Sequence, residues 1–349
     1  MPGATTSASG EGANGPSAPS VQHIVNCAYS SWHDKYKHLC PRSKVISDLP
    51  RAFIDYLLED GIALPNDGYE WDNKSENGSD FGDQEDEVDD PTHRFPELHQ
   101  KILDTIQSLG GSVTPKLNWS APRDATWIST TNNLKCVTAA DIYILLKASS
   151  YITHDLTQAF DDCDPDEPRP SEQTFDLVLR KWVDVNPAME FRCFVKDREL
   201  VGVTQRDMNY YEFLNDLKPK LLTLIQSFFR QNLQTSFPDS SFVFDVYIPR
   251  PFDRVWLVDI NPYAFKTDTK LYDWSQIVNI DPFDDNFIPE IRLVDKSDSS
   301  RGFGTVEHSE NAVPKDIVDA SMSGQGIVDL VKQWRLAQEQ QDEESSDDD

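Results

Sequence analysis

Apolar residues recur at helical spacing in several segments of this chain. In residues 49–58, where Pro50 suits a helix N-terminus, the apolar stripe consists of Phe53, Ile54, Leu57 and Leu58. In residues 97–109 it consists of Leu98, Ile102, Ile106 and Leu109, and the Gly-Gly pair that follows is a typical helix stop. Further helices are predicted for residues 138–147, with Thr138 as the N-terminal cap, and for residues 217–231.

Apolar and β-branched runs between these helices predict β-strands. They cover residues 112–117, 175–183, 190–195 and 200–204, and a turn at residues 196–199 joins the last two. Two more runs, FVFDVYI (242–248) and VWLVDINP (255–262), flank a Pro-Arg-Pro-Phe sequence that is typical of a turn. Strands that are mostly joined as hairpins and mixed with single helices indicate an α+β fold rather than a doubly wound parallel sheet.

A carboxylate interrupts the apolar pattern of each strand in this last hairpin. If the hairpin is symmetric about Phe252, Asp245 lies directly opposite Asp259. Asn261 and Leu257 then share the face of Asp259, because each is two residues away from it. Two carboxylates and an amide oxygen on one face are ligands that suit a hard cation such as Mg²⁺, without which the two acids would repel each other. The alternative is a solvated sheet face, which is the commoner environment of strand carboxylates.

The negative charge of the chain is unevenly distributed. The 349 residues carry a net charge of −28, of which residues 67–90 contribute −10 and residues 339–349 contribute −7. Residues 1–20 are rich in Gly, Ser, Ala and Pro, and they are predicted to be disordered. The acidic balance argues against direct binding of nucleic acid through a basic surface, and it favours a basic protein partner.

The five cysteines, at positions 27, 40, 136, 163 and 193, are an odd number without a CxxC pair. The sequence also has no secretory signal and no apolar run of membrane-spanning length. We therefore expect a cytoplasmic protein with reduced thiols and no membrane association. Cys27, His33, His38 and Cys40 have no common zinc spacing, so buried or surface positions are favoured over a zinc site for these residues.

Several other polar residues are candidate ligands of a nucleotide. Lys116 ends a predicted strand, where a phosphate-binding lysine would lie, although a surface lysine is the alternative. Residues 180–183 could offer backbone groups to an adenine edge, or they could form a plain core strand. Glu190 could bind ribose hydroxyls and Arg192 or Arg206 could contact phosphate, whereas a Glu190–Arg192 pair in solvent is the alternative. The sequence has no GxxxxGK[ST], GxSxG or HExxH motif.

The order of these candidates along the chain resembles the ATP-grasp arrangement. In that arrangement a strand lysine, an adenine hinge, a ribose acid, a basic phosphate residue and an acid…acid-x-Asn metal set follow one another. More specifically, the chain resembles the cell division cycle protein 123 family. The segments that carry this likeness are CAYSSWHDKYKHLCPRS (27–43), PKLNWSAPRDATWI (115–128), LVLRKWV (177–183), EFRCFVKDRELVGVTQRD (190–207), FVFDVY (242–247) and WLVDINPY (256–263).

The resemblance implies an ATP-grasp-like α+β fold, in which two lobes with mostly antiparallel sheets enclose ATP and Mg²⁺. The residues expected to bind the nucleotide are Lys116, Asn118, Ser120, Ala121, Arg180, Lys181, Trp182, Val183, Glu190, Arg192, Arg206, Asp245, Asp259 and Asn261. Asp245, Asp259 and Asn261 are also the expected ligands of the metal. No residue is assigned a catalytic role.

The implied organisation has six parts. They are a disordered tail (1–20), an ordered lead-in (21–66), an acidic flexible loop (67–94), an N-terminal lobe (95–174), a C-terminal lobe with the metal-binding hairpin (175–295), and a partner-binding segment with an acidic tail (296–349). The last part contains a helical stripe of Ile327, Leu330, Val331 and Trp334. A final helix docked on its own domain and a segment that lies on a partner both fit this stripe.

The resemblance further implies an ATP-binding assembly chaperone that acts as a monomer. Family members are expected to bind the gamma subunit of eukaryotic translation initiation factor 2 and to promote its joining with the alpha subunit and then the complete heterotrimer, which supports translation initiation and cell-cycle progression. The alternative is an ATP-grasp ligase that forms an acyl-phosphate. Residues 118–125 contain no glycine, whereas such ligases close a glycine-rich flap on the phosphates. This difference favours binding of ATP over efficient phosphoryl transfer, and it leaves weak turnover open.

Overall fold

A computed structural model of the chain describes residues 15–65, 90–170 and 173–299. The described residues form two compact units, and neither is continuous in sequence. Unit 1 contains residues 15–41, 159–170 and 183–299, whereas unit 2 contains residues 42–65, 90–158 and 173–182. The predicted lead-in is thus divided between the units at residue 42. Most of the predicted N-terminal tail, most of the acidic loop and the stripe at residues 327–334 lie outside the described residues.

Helices and strands alternate irregularly along the described chain. The helices are α1 (Val21–Cys27), α2 (Tyr29–Tyr36), α3 (Arg51–Leu58), α4 (Pro96–Ser108), α5 (Ala139–Lys147), α6 (Ser150–Thr157), α7 (Phe213–Asn232), α8 (Trp274–Asn279) and α9 (Lys296–Ser299). The strands are β1 (Ser43–Ile46), β2 (Val113–Lys116), β3 (Leu177–Lys181), β4 (Glu190–Lys196), β5 (Glu199–Gln205), β6 (Phe242–Tyr247), β7 (Trp256–Pro262) and β8 (Glu290–Arg292). The predicted α+β class with mostly antiparallel sheets is confirmed.

Unit 2 is built on a three-stranded antiparallel sheet in the order β1-β3-β2. Leu177 and Leu179 of β3 join a hydrophobic core to which helices α3 to α6 also contribute. Phe53, Phe95 and Tyr143 form the aromatic part of this core, with ring centroids 5.1 to 6.0 Å apart. These ring contacts join α3, the start of α4 and α5 to one another.

The predicted helical stripes of unit 2 are confirmed with one exception. Leu98, Ile102, Ile106 and Leu109 are all buried, and Gly110 and Gly111 follow with positive φ angles of 100° and 84°. Thr138 caps α5 in a capping box with Asp141. Leu58, however, is 39% exposed, and the expectation that it belongs to the buried stripe of α3 is wrong. It is the last residue of that helix, and Tyr56 is buried instead.

Unit 1 is built on a five-stranded sheet in the order β7-β6-β4-β5-β8, in which only β8 pairs in parallel. One face is covered by α7, whose Phe229 stacks on Phe244 of β6 with ring centroids 5.9 Å apart. The opposite face carries Phe194 and Val243, which pack with Tyr272 and Trp274. Because side chains alternate along a strand, Arg192 and Asp245 lie on this second face as well.

The described residues contain no helix that is long and apolar enough to cross a membrane.

Gly202 of β5 leaves room for the ring of Tyr272 on the second face of the unit 1 sheet. A Cβ at position 202 would lie 2.9 Å from Cζ of Tyr272. That ring is held in place, because its hydroxyl donates to the Glu290 carbonyl at 2.9 Å and the Arg292 guanidinium lies 3.7 Å from its centroid. The site therefore has no space for a methyl group.

Gly202→Ala is expected to lower the free energy of unfolding by about 1–3 kcal/mol, as overpacking of a close contact does. Urea denaturation measures this change. In a Tyr272→Ala background the same substitution should cost little, because the clash is absent. Equal losses in both backgrounds would show that the contact with Tyr272 is not the cause.

Candidate functional site

The hairpin of β6 and β7 brings the two predicted acids together. Asp245 pairs with Asp259 and Val243 pairs with Asn261, as the symmetry about Phe252 predicts. Beyond Asp245 the register shifts by one residue, so that Val246 pairs with Leu257. The extra residue of this bulge turns Leu257 to the face opposite Asp245. The expectation that Leu257 shares the face of the acids is therefore wrong.

Asp245 is buried and paired with two arginines. Nε and Nη2 of Arg192 donate to Oδ1 and Oδ2 of Asp245 at 2.8 and 2.9 Å, and the carboxylate is 2% exposed. Nε of Arg206 forms an ion pair with Oδ2 at 3.3 Å. The expected repulsion between Asp245 and Asp259 is thus offset by guanidinium groups of the protein itself.

Arg192 is fixed by its own partners. Its Nη1 donates to the Asp268 carbonyl at 2.7 Å, in addition to the two hydrogen bonds to Asp245. Burial acts to lower the pKa of the Arg192 guanidinium, but the charge and hydrogen bonds of Asp245 outweigh burial and the pKa is raised. The alternative of a Glu190–Arg192 pair in solvent is wrong, because Glu190 pairs with Arg206 at 3.1 Å.

These residues form what we call the acid–arginine cluster, consisting of Glu190, Arg192, Arg206, Asp245, Asp259 and Asn261. Nδ2 of Asn261 donates to Oδ2 of Asp245 at 3.4 Å, and Oδ1 of Asp259 accepts the Ile260 amide at 3.1 Å. Asp259 and Asn261 are only half-buried. The cluster therefore presents both carboxylate oxygens and guanidinium groups on one face of the unit 1 sheet.

The donor set of the hairpin fits a hard divalent cation. Asp245, Asp259 and Asn261 offer only oxygen ligands, and the two acids are cross-strand neighbours. In the described ranges, the acid–arginine cluster included, no three His, Cys, Asp or Glu side chains are grouped as metal ligands. Cys27 is buried, and the ring of His33 stacks on that of Tyr29.

In unit 2, Lys116 ends β2 and is fully buried, so the alternative of a surface lysine is wrong. Its Nζ donates to the Trp119 carbonyl. The loop that follows is closed by a hydrogen bond from the Leu117 amide to the Ser120 carbonyl at 2.9 Å. The Asn118 side chain ties it to the start of β3 by accepting from the Asp176 amide at 2.8 Å. Lys116, Asn118, Ser120 and Ala121 thus belong to one short, tied loop.

Asp155 of α6, which is not among the residues expected to bind the nucleotide, holds this loop from the other side. Its Oδ2 accepts the Ser120 and Trp119 amides at 2.7 and 3.2 Å, and its Oδ1 accepts the Ser120 hydroxyl at 2.8 Å. Burial raises the pKa of the Asp155 carboxyl to about 6, although the hydrogen bonds from Ser120 and the charge of Lys116 act in the opposite direction. A signal was present, because Asp155 lies on the same buried stripe as Ile152 and Leu156.

The four predicted hinge residues lie at the end of β3. The Lys181 amide donates to the Arg42 carbonyl at 2.7 Å and the Trp182 amide donates to the Ser112 carbonyl at 3.0 Å. Arg180 and Trp182 are half-buried, and Lys181 and Val183 are exposed. The boundary of the two units falls between Trp182 and Val183. The structure therefore groups the predicted ligands into three sets: the loop after β2, the end of β3, and the acid–arginine cluster.

Comparison with known proteins gives a consistent set of matches. The family model D123 matches residues 32–321. Cell division cycle protein 123 of Yarrowia lipolytica is 46% identical over 317 residues, which cover 89% of this chain and 82% of that protein. A protein of Aspergillus niger named translation initiation factor eIF2 assembly protein is 44% identical over 346 residues, which cover 94% of this chain and 91% of that protein. The solved structure of Cdc123 from Schizosaccharomyces pombe matches with a TM-score of 0.66 and 39% identity, over 80% of this chain and 99% of that chain.

Replacing Arg192 by Met is expected to lower the free energy of unfolding by about 3–5 kcal/mol, because Asp245 would remain buried without its main counter-ion. Urea denaturation measures this loss. The double variant Arg192→Met with Asp245→Leu should recover most of it, because no buried charge is left unpaired. A double variant as unstable as Arg192→Met alone would show that the unpaired charge of Asp245 is not the cause of the loss.

The raised pKa of Asp155 predicts a pH dependence of stability. The folded state holds this proton up to about pH 6, whereas an ordinary Asp in the unfolded chain loses it near 3.8. The folded state therefore binds more protons in this range, and the contribution of Asp155 to stability falls as the pH rises through it. Relative to Asp155→Asn, the wild type should lose roughly 2 kcal/mol of unfolding free energy between pH 4 and pH 7. Denaturation curves at several pH values test this, and parallel curves for the two proteins would contradict it.

Proposed function

The chain belongs to the D123 family, and on this premise we propose that it is an ATP- and Mg²⁺-binding assembly factor of eukaryotic translation initiation factor 2. In this role it acts in the cytoplasm as a monomer. It binds the gamma subunit, promotes joining with the alpha subunit and then the complete heterotrimer, and so supports translation initiation and cell-cycle progression. The observation that carries this proposal is the 44% identity, over 94% of this chain, to a relative named translation initiation factor eIF2 assembly protein.

The acid–arginine cluster supports the nucleotide part of the proposal. Asp245, Asp259 and Asn261 would hold the metal through their oxygens. Bound Mg²⁺ would neutralise part of the triphosphate charge. Arg206 is the arginine we assign to phosphate, because its side chain is half-buried, whereas Arg192 is buried and donates to Asp245 and to the Asp268 carbonyl. Arg192 then acts by holding Asp245 in place, and Glu190 remains the proposed ligand of ribose.

The proposed ligands in unit 2 are the loop after β2 and the end of β3. Lys116, whose Nζ donates to the Trp119 carbonyl, is the proposed phosphate-binding lysine of this loop. Asn118 and Ser120, whose side chains are hydrogen-bonded within unit 2, would line the nucleotide without donating to a phosphate, and Ala121 follows on the same loop. Arg180, Lys181, Trp182 and Val183 are proposed to contact the adenine ring, with Val183 the first residue of unit 1 in this stretch.

The alternative of a ligase that forms an acyl-phosphate has less support. Such an enzyme needs a mobile flap whose amides close on the phosphates. Here residues 118–125 contain no glycine, and the amides of Trp119 and Ser120 already donate to Asp155. We therefore assign ATP a structural role in client recognition, with turnover far below that of ordinary enzymes.

Asp259→Asn is expected to weaken binding of ATP with Mg²⁺ at least tenfold, a loss of about 1.4 kcal/mol or more, because one metal ligand loses its charge. Isothermal titration calorimetry with ATP, in the presence of Mg²⁺ or of a chelator, measures this effect. Asp253→Asn is the matched control, since Asp253 is an exposed acid in the turn of the same hairpin. Asp245→Asn should show the same loss of binding together with a loss of stability.

The same variants test the role of ATP in assembly. Wild type and Asp253→Asn should promote joining of purified gamma and alpha subunits, and Asp259→Asn should not. If the Asp259→Asn protein binds no ATP but still promotes assembly, assembly does not require ATP. Robust phosphate release stimulated by a small carboxylic acid would instead favour the ligase.

A further inference from the structure

A single peptide group in the loop after β2 is held at both ends by opposite charges. The carbonyl of Trp119 accepts from the ammonium of Lys116, and the amide of Ser120, which belongs to the same peptide group, donates to the carboxylate of Asp155 at 2.7 Å. Lys116 is fully buried and Asp155 is 2% exposed. Charge-assisted hydrogen bonds shielded from water are stronger than neutral ones, so this peptide group is firmly fixed.

The carboxylate of Asp155 also uses the neighbouring donors of the loop. Its Oδ2 accepts the Trp119 amide at 3.2 Å as well as that of Ser120, and its Oδ1 accepts the Ser120 hydroxyl at 2.8 Å. Two successive backbone amides and a hydroxyl that converge on one anion make the kind of donor set that binds phosphate in other proteins. In this chain an acid of the protein occupies that donor set.

We propose that Asp155 is an internal anion that occupies the amides of Trp119 and Ser120 in place of a nucleotide phosphate, so that the loop is already closed without ATP and does not move onto it. Asp155 is thus a positioning residue, since it sets the Trp119 carbonyl to which Lys116 donates. This proposal rests on the proposed function in one respect only, which is that ATP is the ligand of the neighbouring residues. The contacts that hold the loop involve no nucleotide.

Further contacts of the loop agree with this assignment. Nδ2 of Asn118 donates to the Thr174 carbonyl at 3.2 Å and its Oδ1 accepts from the Asp176 amide at 2.8 Å. The residues at positions 118, 119 and 120 are therefore each tied to another segment of unit 2. A flap that opens to admit a nucleotide would have to break all of these hydrogen bonds.

Hydrogen–deuterium exchange of the full chain, read on a peptide that spans residues 117–122, tests the proposal. The Trp119 and Ser120 amides should exchange slowly without nucleotide, and saturating ATP with Mg²⁺ should change their rates less than about threefold. In Asp155→Ala they should exchange at least tenfold faster, a change of about 1.4 kcal/mol in local opening. Formate, which can enter the space left by the side chain, should restore at least half of the lost protection in this variant.

Asp141→Ala is the matched control. The Asp141 carboxylate also accepts hydrogen bonds from two backbone amides, those of Val137 and Thr138, but these amides lie at the start of α5. It should leave the loop protected and should not respond to formate. Protection that ATP increases tenfold or more in the wild type would overturn the proposal, and so would unchanged exchange in Asp155→Ala. If Asp155→Ala fails to fold, the exchange rates of the Trp119 and Ser120 amides in the wild type, with and without ATP, still test whether the loop closes on ATP. A failure of ATP to bind is seen separately by calorimetry and leaves the nucleotide-free measurements valid.

Discussion

The arrangement of unit 1 depends on the pairing of one buried carboxylate with one guanidinium. Asp245 lies in β6, a central strand of the five-stranded sheet, where an unpaired charge would be costly. Arg192 reaches it from the neighbouring strand β4 with two hydrogen bonds, and a third ties Arg192 to the carbonyl of Asp268. The pair therefore joins two strands and the segment after β7 at the place where the proposed metal ligands lie.

The same pairing explains how two acids can face each other in the absence of a metal. Three carboxylates of the acid–arginine cluster stand beside two guanidinium groups, so most of the negative charge is balanced within the protein. A site of this kind suits a ligand that brings its own cation and anion, as a nucleotide with Mg²⁺ does. The balance also reduces the repulsion between the two acids of the hairpin, because Asp245 is paired with Arg192 and Arg206.

The second buried carboxylate of interest, Asp155, is satisfied in a different way. Its partners are backbone amides and a hydroxyl rather than an arginine, and burial raises its pKa to about 6 whereas Asp245 is held by guanidinium groups. The two acids therefore have different consequences. The pairing of Asp245 leaves charged groups on the sheet face that a ligand can reach, whereas the bonds of Asp155 use up the donors of a loop and fix it.

Periodicity in the sequence was sufficient for the α+β class, for the bounds of α3, α4, α5, α7 and β2 to β7 to within a few residues, and for the opposition of Asp245 and Asp259, because helices and hairpins depend on neighbours in the chain. It did not predict α1, α2, α6, α8, α9, β1 or β8. The bulge that turns Leu257 away, the Arg192–Asp245 and Arg206–Glu190 pairs, and the closing of the loop by Asp155 appeared only in the folded structure. These contacts join residues 16 to 53 positions apart, or add one residue to a strand. These features depend on packing and on the pairing of each buried charge, and neither can be seen in a local sequence pattern.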